Sequence, residues 1–267
     1  MSGKHPLIGL MTDYGTRDAY VAQMKGMIYS IYPQARIEDL NHEISVFNLP
    51  EASYLVDQTA RYFAPGSIFV VVVDPGVGTE QKAIILKTTE GRIFIGPDNG
   101  IFTSVMEREG IESVYELTKP EYFRPGMVSE TFHGRDIYGP VAAHVAAGET
   151  LSNFGPPLKT VTRLKLDSAT RLGTKITAHV VHIDHYGNVI TNVPRKLFEQ
   201  DPTGKLVKVS MDGKVSSLPV VKTYANGPED RLFAIFNSED NFELSFREKP
   251  AAEILKVRAG APVSIVY

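Results

Sequence analysis

The sequence contains no cysteine and no tryptophan among its 267 residues, and its apolar runs are short. Without cysteine, the chain forms no disulfide bond, carries no thiolate nucleophile and offers no cysteine ligand to zinc. No apolar run reaches the roughly 20 residues of a membrane span, and none resembles a secretion signal. The net charge of −3 and the scattered lysines and arginines are atypical of nucleic-acid-binding proteins. We therefore expect a cytoplasmic protein with no membrane and no nucleic-acid partner.

The first half of the chain alternates strand and helix signals. Residues 67–73 (SIFVVVV) are almost wholly β-branched or aromatic, which is typical of a strand buried on both faces. Apolar residues recur at three- and four-residue spacings over residues 19–32, which predicts an amphipathic helix. Further strands are predicted over residues 7–11, 36–39, 83–88 and 92–96, and further helices over residues 50–64 and 137–147. This alternation predicts an α/β fold with a mostly parallel sheet and flanking helices.

The pattern changes near residue 160, after the turn-forming residues 155–157 (GPP). From residue 174 onward the apolar segments are short and alternating, with glycine, asparagine and proline turns between them. Strands are predicted there over residues 175–184, 206–211, 231–236, 242–246 and 262–266. We predict an N-terminal α/β domain over residues 1–160, a linker over residues 161–173 and a smaller C-terminal all-β barrel domain over residues 174–267.

Two carboxylates follow predicted parallel strands, where such sheets bind ligands. Asp13 comes directly after the first strand, and its carboxylate could accept hydrogen bonds from both hydroxyls of a ribose. An Asx-turn or a helix cap explains Asp13 equally well. Asp74 precedes the glycine-containing segment 75–78 and could orient a water molecule or a sugar, or it could cap backbone amides of a turn.

Histidines offer two further candidates. His133 could hold or relay a proton near neutral pH, or it could be a structural histidine. His182, Asp184 and His185 suggest a metal site at first sight. Because side chains alternate along a strand, His182 and Asp184 would share a face while His185 turns away, and no third strong ligand lies nearby. We therefore predict no metal site.

Five motifs occur in an order that resembles the SAM hydroxide adenosyltransferase family, which is related to the adenosyl-fluoride and adenosyl-chloride synthases. The resemblance covers nearly the whole chain. The motifs are residues 12–15 (TDYG), 73–79 (VDPGVGT), 96–100 (GPDNG), 131–136 (TFHGRD) and 184–188 (DHYGN). The resemblance implies an S-adenosyl-L-methionine hydrolase that forms adenosine and methionine. It implies no cofactor, because S-adenosylmethionine is the substrate.

The same resemblance implies a homotrimer with the substrate held between one subunit's N-terminal domain and a neighbour's C-terminal domain. It assigns Asp13 to the ribose, Asp184 to the methionine part and Asn188 to adenine. It also implies that residues 237–239, with Ser238 and Glu239, help to hold the methionine end. Arg258 lies in a segment that resembles a backbone contact to adenine.

The family's water-activating triad consists of Asp, Arg and His. Asp74 and His133 occupy the Asp and His positions, but Gln81 stands where the arginine is expected. A neutral glutamine cannot lower the pKa of a neighbouring water as a cation does. Lys82 could compensate, although on a strand its side chain would point to the opposite face. We expect Asp74 to accept the proton of a water that attacks the ribose C5′ atom.

The sequence leaves two alternatives to hydrolysis open. The halogenating relatives carry a long insertion soon after the DPGVG-like motif and a serine at the position of Gly134. Neither feature is present here, which favours water over halide. A protein that binds S-adenosylmethionine or adenosine without turnover is the other alternative, because of Gln81.

Overall fold

The computed structural model describes residues 6–267. The chain divides into two compact units between Leu164 and Lys165, a position inside residues 161–173. Within the described range, no helix is both long and apolar enough to cross a membrane.

The N-terminal unit contains a six-stranded sheet in the order β2-β1-β3-β5-β4-β6. Its strands are β1 Leu7–Thr12, β2 Arg36–Asn41, β3 Ile68–Val72, β4 Ala83–Thr88, β5 Ile93–Pro97 and β6 Ile111–Glu116. The pairs β1–β2, β1–β3 and β3–β5 are parallel, whereas β4 is antiparallel to both of its neighbours. The sheet is therefore mostly parallel, as predicted.

Helices cover both faces of this sheet. They are α1 Tyr20–Ile31, α2 Leu49–Ala60, α3 Thr103–Glu109 and α4 Gly139–Ala146. One buried cluster joins Ile68, Val70 and Val72 of β3 to α1 and α4. The other joins Phe69 and Val71 of β3 to α2 and α3. Because both sets of alternate side chains are buried, β3 has no polar face, which explains its uninterrupted apolar sequence.

The order of the strands creates a crevice between β1 and β3. The chain passes from β1 to β2 on one side and then returns to pair β3 on the other side of β1. Thr12 and Val72, the last residues of β1 and β3, are register partners. Ligands of open α/β sheets bind beyond the carboxyl ends of strands where the strand order reverses. The residues that follow Thr12 and Val72 occupy that place.

The C-terminal unit is a barrel of eight strands in the order β11-β10-β14-β8-β9-β13-β12, with β7 paired to β8. A bridge between Val220 and Ala234 links the two ends of this order. The strands are β7 Thr170–Leu172, β8 Lys175–Ile183, β9 Val189–Pro194, β10 Leu206–Met211, β11 Lys214–Pro219, β12 Phe233–Phe236, β13 Asn241–Ser245 and β14 Pro262–Val266. This confirms the predicted fold class, with one short helix, α5 Ala251–Leu255, added to the strands.

Two predicted helices differ from the observed ones at an end. The helix predicted over residues 50–64 ends at Ala60, where the amides of Tyr62 and Phe63 bond to carbonyls three residues back and tighten the chain into a turn. The helix predicted over residues 137–147 ends at Ala146 and is preceded by a π-helical turn, Gly134–Tyr138. Such turns have no periodicity that distinguishes them in sequence.

A buried ion cluster fastens α3 to the β4–β5 hairpin. The Glu109 carboxylate is almost fully buried and accepts hydrogen bonds from Thr88 Oγ1 at 2.7 Å and Arg92 Nη1 at 2.9 Å. Arg108 Nη2 lies 2.8 Å from the same carboxylate. Glu112, by contrast, pairs with Lys87 at the surface.

Replacement of Glu109 by alanine should destabilise the protein by about 3–5 kcal/mol, because it leaves the buried Arg92 guanidinium without its carboxylate partner. The matched control, Glu112→Ala, removes an exposed pair and should cost less than about 1 kcal/mol. Chemical denaturation of both variants measures the two values. Equal losses of unfolding free energy would contradict the assignment of Glu109 as a buried anchor.

Candidate functional site

Asp13 and Asp74 lie at the crevice between the carboxyl ends of β1 and β3. Asp13 directly follows Thr12, and its Oδ2 atom accepts a hydrogen bond from the Phe47 amide at 3.0 Å. Phe47 has a positive φ of 62°, which is rare for a bulky side chain, and its ring is mostly exposed. The remaining lone pairs of the Asp13 carboxylate can accept hydrogen bonds from a ligand.

A chain of side chains that runs from the buried Thr12 and His42 to the surface fixes the turn that carries Asp13. Thr12 Oγ1 accepts from the Tyr14 amide at 3.2 Å and lies 2.9 Å from Nδ1 of His42. Nε2 of His42 lies 3.0 Å from Asp39, which in turn pairs with Lys25. Both ring nitrogens of His42 are thus occupied, so the histidine acts as a structural link behind the crevice.

Asp74 has two side-chain donors on its carboxylate. Gln81 Nε2 donates to Oδ1 at 2.6 Å, and the Tyr138 hydroxyl donates to Oδ2 at 3.4 Å. Burial raises the pKa of Asp74, while the hydrogen bond from Gln81 and the charge of His133 act in the opposite direction. The carboxylate is therefore a stronger base than an exposed aspartate, which suits a group that must accept a proton.

The glycine-containing loop brings Gln81 back to Asp74. A Cβ atom on Gly76 would lie 2.7 Å from Oε1 of Gln81, so the glycine leaves room for that side chain. Gly78 has a φ of 78°, and a Cβ there would lie 2.5 Å from the Glu130 carbonyl oxygen. Thr79 closes the loop by donating to the Gly76 carbonyl. These contacts explain why glycines separate the two polar residues.

Lys82 does not take the place of the expected arginine. Its ammonium group lies 2.9 Å from Glu116 on β6, and the structure records no hydrogen bond from it to Asp74. Lys82 precedes β4 rather than lying on a strand, and its charge is engaged by Glu116. Gln81 is the neighbour of Asp74 that stands at this position.

His133 lies at the start of the π-helical turn Gly134–Tyr138, with its ring edge-on to that of Tyr138 and 6.3 Å away between centroids. Arg135 and the buried Asp136 form a two-pronged ion pair, with Nε to Oδ1 at 2.6 Å and Nη2 to Oδ2 at 2.9 Å. Asp136 also accepts from the Ser129 amide at 2.7 Å. This pair holds the turn that presents His133.

In the C-terminal unit, Asp184 organises the turn between β8 and β9. Its Oδ1 atom accepts from the amides of Tyr186 and Asn188, and its Oδ2 atom accepts from Nδ2 of Asn188 at 2.9 Å. Gly187 has a φ of 80°, and a Cβ there would collide with Pro250. The structure thus brings Asp184 and Asn188 together in one turn.

A buried carboxylate beside this turn went unnoticed in the sequence. Glu243 on β13 accepts from the Tyr224 hydroxyl at 2.9 Å and from Ser245 Oγ at 2.7 Å. Burial raises the pKa of Glu243, and the charge of Asp184 adds to the effect. The one available signal was a carboxylate inside an otherwise apolar strand segment, residues 242–244 (FEL).

The remaining predicted residues lie on surface segments of the C-terminal unit. Ser238 is exposed between β12 and β13, where Asn237 Oδ1 accepts from the amide of Glu239 at 3.0 Å. Arg258 is exposed after α5, and its carbonyl accepts from the Ala261 amide. In residues 6–267, no three histidine or acidic side chains come together as a metal site, including those of residues 182–185.

Comparisons with known proteins agree with this arrangement over both units. Residues 8–155 match the SAM hydroxide adenosyltransferase N-terminal domain, and residues 178–264 match the C-terminal domain of the same family. A protein of Thermotoga maritima, described as an uncharacterized conserved protein, has a similar crystal structure. Its TM-score is 0.94 at 35% sequence identity, covering 98% of this chain and 100% of that one.

Two named relatives align over almost the full length. The (R)-S-adenosyl-L-methionine hydrolase of Methanocaldococcus jannaschii is 34% identical, covering 98% of this chain and 96% of its own. A fluorinase of Actinoplanes sp. (strain N902-109) is 29% identical, covering 98% of this chain and 97% of its own. The two matched domains, in this order and over most of the chain, establish that the protein belongs to the SAM hydroxide adenosyltransferase family.

Proposed function

We propose that this protein hydrolyses S-adenosyl-L-methionine to adenosine and L-methionine. The observation that carries the proposal is the Asp74 carboxylate, partly buried at the crevice and held by Gln81 and Tyr138. Relatives with 31–34% identity over most of the chain are named (R)-S-adenosyl-L-methionine hydrolase. We take the substrate to be the diastereomer with R configuration at sulfur, as that name specifies.

The reaction needs a nucleophile more than it needs an acid. The sulfonium already carries a positive charge, so methionine leaves as a neutral thioether. Water forms a bond to the ribose C5′ atom as the C5′–S bond breaks and its electron pair passes to sulfur. The proton that water loses goes to Asp74. Bulk water has a pKa of about 15.7, so hydroxide is scarce at neutral pH. A base that takes the proton from a water held in line with C5′ makes up for this scarcity.

The other N-terminal residues assist this step. His133 lies close enough for its charge to lower the pKa of Asp74, and it helps to orient the water. Gln81 donates to Oδ1 and so fixes the orientation of the Asp74 carboxylate. Asp13 accepts hydrogen bonds from the ribose hydroxyls and so places C5′ near the water. Gln81 is neutral and cannot stabilise hydroxide as a cation would, so we expect slower turnover than with arginine at this position.

We propose that residues of the C-terminal unit bind the two ends of the substrate. Asp184, Ser238 and Glu239 hold the methionine part, while Asn188 and the backbone at Arg258 contact adenine. The presence of Asp184 and Asn188 in one turn supports this division of roles. We further propose a homotrimer in which each site combines the N-terminal unit of one subunit with the C-terminal unit of a neighbour.

Halide transfer is the second candidate, since fluorinases are among the relatives. The space at Gly134 argues against it. A Cβ atom there would lie 2.6 Å from the Tyr14 hydroxyl, so a serine at this position would force that hydroxyl to move. Only three residues, 80–82, separate Thr79 from β4, so the long insertion is missing as well.

Replacement of Asp74 by asparagine should lower kcat by about 10²- to 10⁴-fold, because it removes the general base but keeps the shape. Adenosine and methionine are measured by chromatography after incubation with S-adenosylmethionine. Full activity in Asp74→Asn would overturn the mechanism. Tight binding of S-adenosylmethionine by the unaltered protein without any adenosine would favour a non-catalytic binder, and 5′-halo-5′-deoxyadenosine formed with free halide would favour a halogenase.

The pH dependence should respond to position 81. Asp74 acts as a base only when deprotonated, so kcat/KM should fall at acidic pH, with its midpoint above the ordinary aspartate range because burial raises the pKa. Gln81→Leu removes a hydrogen bond that lowers this pKa, so the midpoint should move to higher pH. Gln81→Arg adds a cation, so the midpoint should move to lower pH and kcat should rise. Identical midpoints in all three proteins would contradict a role for Asp74 as the titrating base.

Mixed oligomers test whether the site is shared between subunits. Co-expression of Asp74→Asn with Asp184→Ala should restore about a quarter of wild-type activity, because one interface in four then combines two intact units. Co-expression of Asp74→Asn with Asp13→Asn is the matched control and should restore none, since both changes lie in the N-terminal unit. Absence of recovery in the first mixture would contradict a shared site.

A further inference from the structure

The Tyr14 hydroxyl stands out in the N-terminal unit because it lacks a protein partner. The ring of Tyr14 is fixed by edge-on contact with Phe132, with centroids 5.7 Å apart, and by a tilted contact with Tyr20 at 5.8 Å. Among the residues that the structure describes, none forms a hydrogen bond with this hydroxyl, whose oxygen keeps some contact with solvent. Tyr14 is only partly buried, so its hydroxyl is free to donate a hydrogen bond to a water molecule or a ligand.

The Tyr14 hydroxyl lies against the segment that carries His133. It lies 2.6 Å from where a Cβ atom of residue 134 would be, directly after His133. It is close enough to Asp74 and Asp13 for their charges to affect it: burial raises the pKa of Tyr14, and both carboxylates add to the rise. Burial and the charge of Asp74 raise the pKa of Tyr138, whose hydroxyl donates to Asp74, and Tyr14 adds to that rise.

We propose that Tyr14 is a further catalytic residue, whose O–H group donates a hydrogen bond to the water molecule that Asp74 deprotonates. This inference rests on the proposed hydrolase function. The water oxygen accepts from Tyr14 while one of its hydrogens points to Asp74. As that proton moves to Asp74, negative charge develops on the oxygen, and the hydrogen bond from Tyr14 becomes stronger.

A bond that strengthens during the reaction lowers the barrier rather than the Michaelis constant. With glutamine at position 81, no cation faces Asp74 from the loop that follows it. The tyrosine hydroxyl is then a neutral donor for the developing hydroxide. Its raised pKa keeps it protonated, and hence a donor, throughout the neutral range.

Gly134 has a defined part in this arrangement. Only a residue without a side chain leaves the space that the Tyr14 hydroxyl fills, because any Cβ atom would crowd the oxygen at 2.6 Å. The absence of a side chain at Gly134 thus allows the Tyr14 hydroxyl, a hydrogen-bond donor, to lie beside the residue that follows His133.

The test compares Tyr14→Phe with Tyr29→Phe, which removes an exposed hydroxyl on α1. Adenosine formation gives kcat and KM, and thermal unfolding checks that both variants fold. Tyr14→Phe should lower kcat by about 10- to 100-fold, the range for one hydrogen bond to a charged group, with KM little changed. Tyr29→Phe should behave like the wild type. Gly134→Ala should also lower kcat, since its methyl group displaces the hydroxyl.

Unchanged kcat in Tyr14→Phe would overturn the inference while leaving the hydrolase function intact. A rise in KM with constant kcat would overturn it too, since it would assign Tyr14 to substrate binding. If the wild-type protein produced no adenosine, the proposed function would fall and the role of Tyr14 with it.

Discussion

The hydrogen bond between Gln81 and Asp74 is the contact on which the rest of the N-terminal site depends. It requires β3 to end at Val72, the chain to turn through Gly76 and Gly78, and the loop to return before β4 begins. Without that return, Asp74 would keep the 3.4 Å hydrogen bond from Tyr138 but lose the short one that fixes its Oδ1 atom. With it, one oxygen is fixed. Burial raises the pKa of the carboxyl while the hydrogen bond from Gln81 lowers it. The carboxylate follows β3, next to the end of β1, where Asp13 begins a second turn.

The sheet supplies the second constraint, because it brings two distant segments of sequence together. Strand order reverses between β1 and β3, so residues about 60 positions apart share one crevice. The connection through His42 fixes the β1 turn from behind, while the ion pair of Arg135 and Asp136 fixes the segment that carries His133. Each side chain that we propose to act on the substrate is thus held by a neighbour that is buried or paired, as holding water and ribose in one geometry requires.

Pattern alone predicted the features that depend on local chemistry. The all-apolar β3, the polar turns after β1 and β3 and the change to short alternating strands all follow from residue type and spacing. The contact of Gln81 with Asp74 could be anticipated only from the family's triad, since it depends on how a loop folds back. The π-helical turn at Gly134, the Tyr14 hydroxyl and the buried Glu243 escaped prediction, because tyrosine and glutamate carry no positional signal until three-dimensional packing places them.

We propose that water, activated at Asp74, becomes the 5′ hydroxyl of adenosine. The most direct measurement is turnover of S-adenosylmethionine in ¹⁸O-labelled water, followed by mass spectrometry of both products. The account predicts one ¹⁸O atom at the 5′ oxygen of adenosine and none in methionine. Label in methionine, or adenosine that carries no ¹⁸O, would contradict attack of water at C5′.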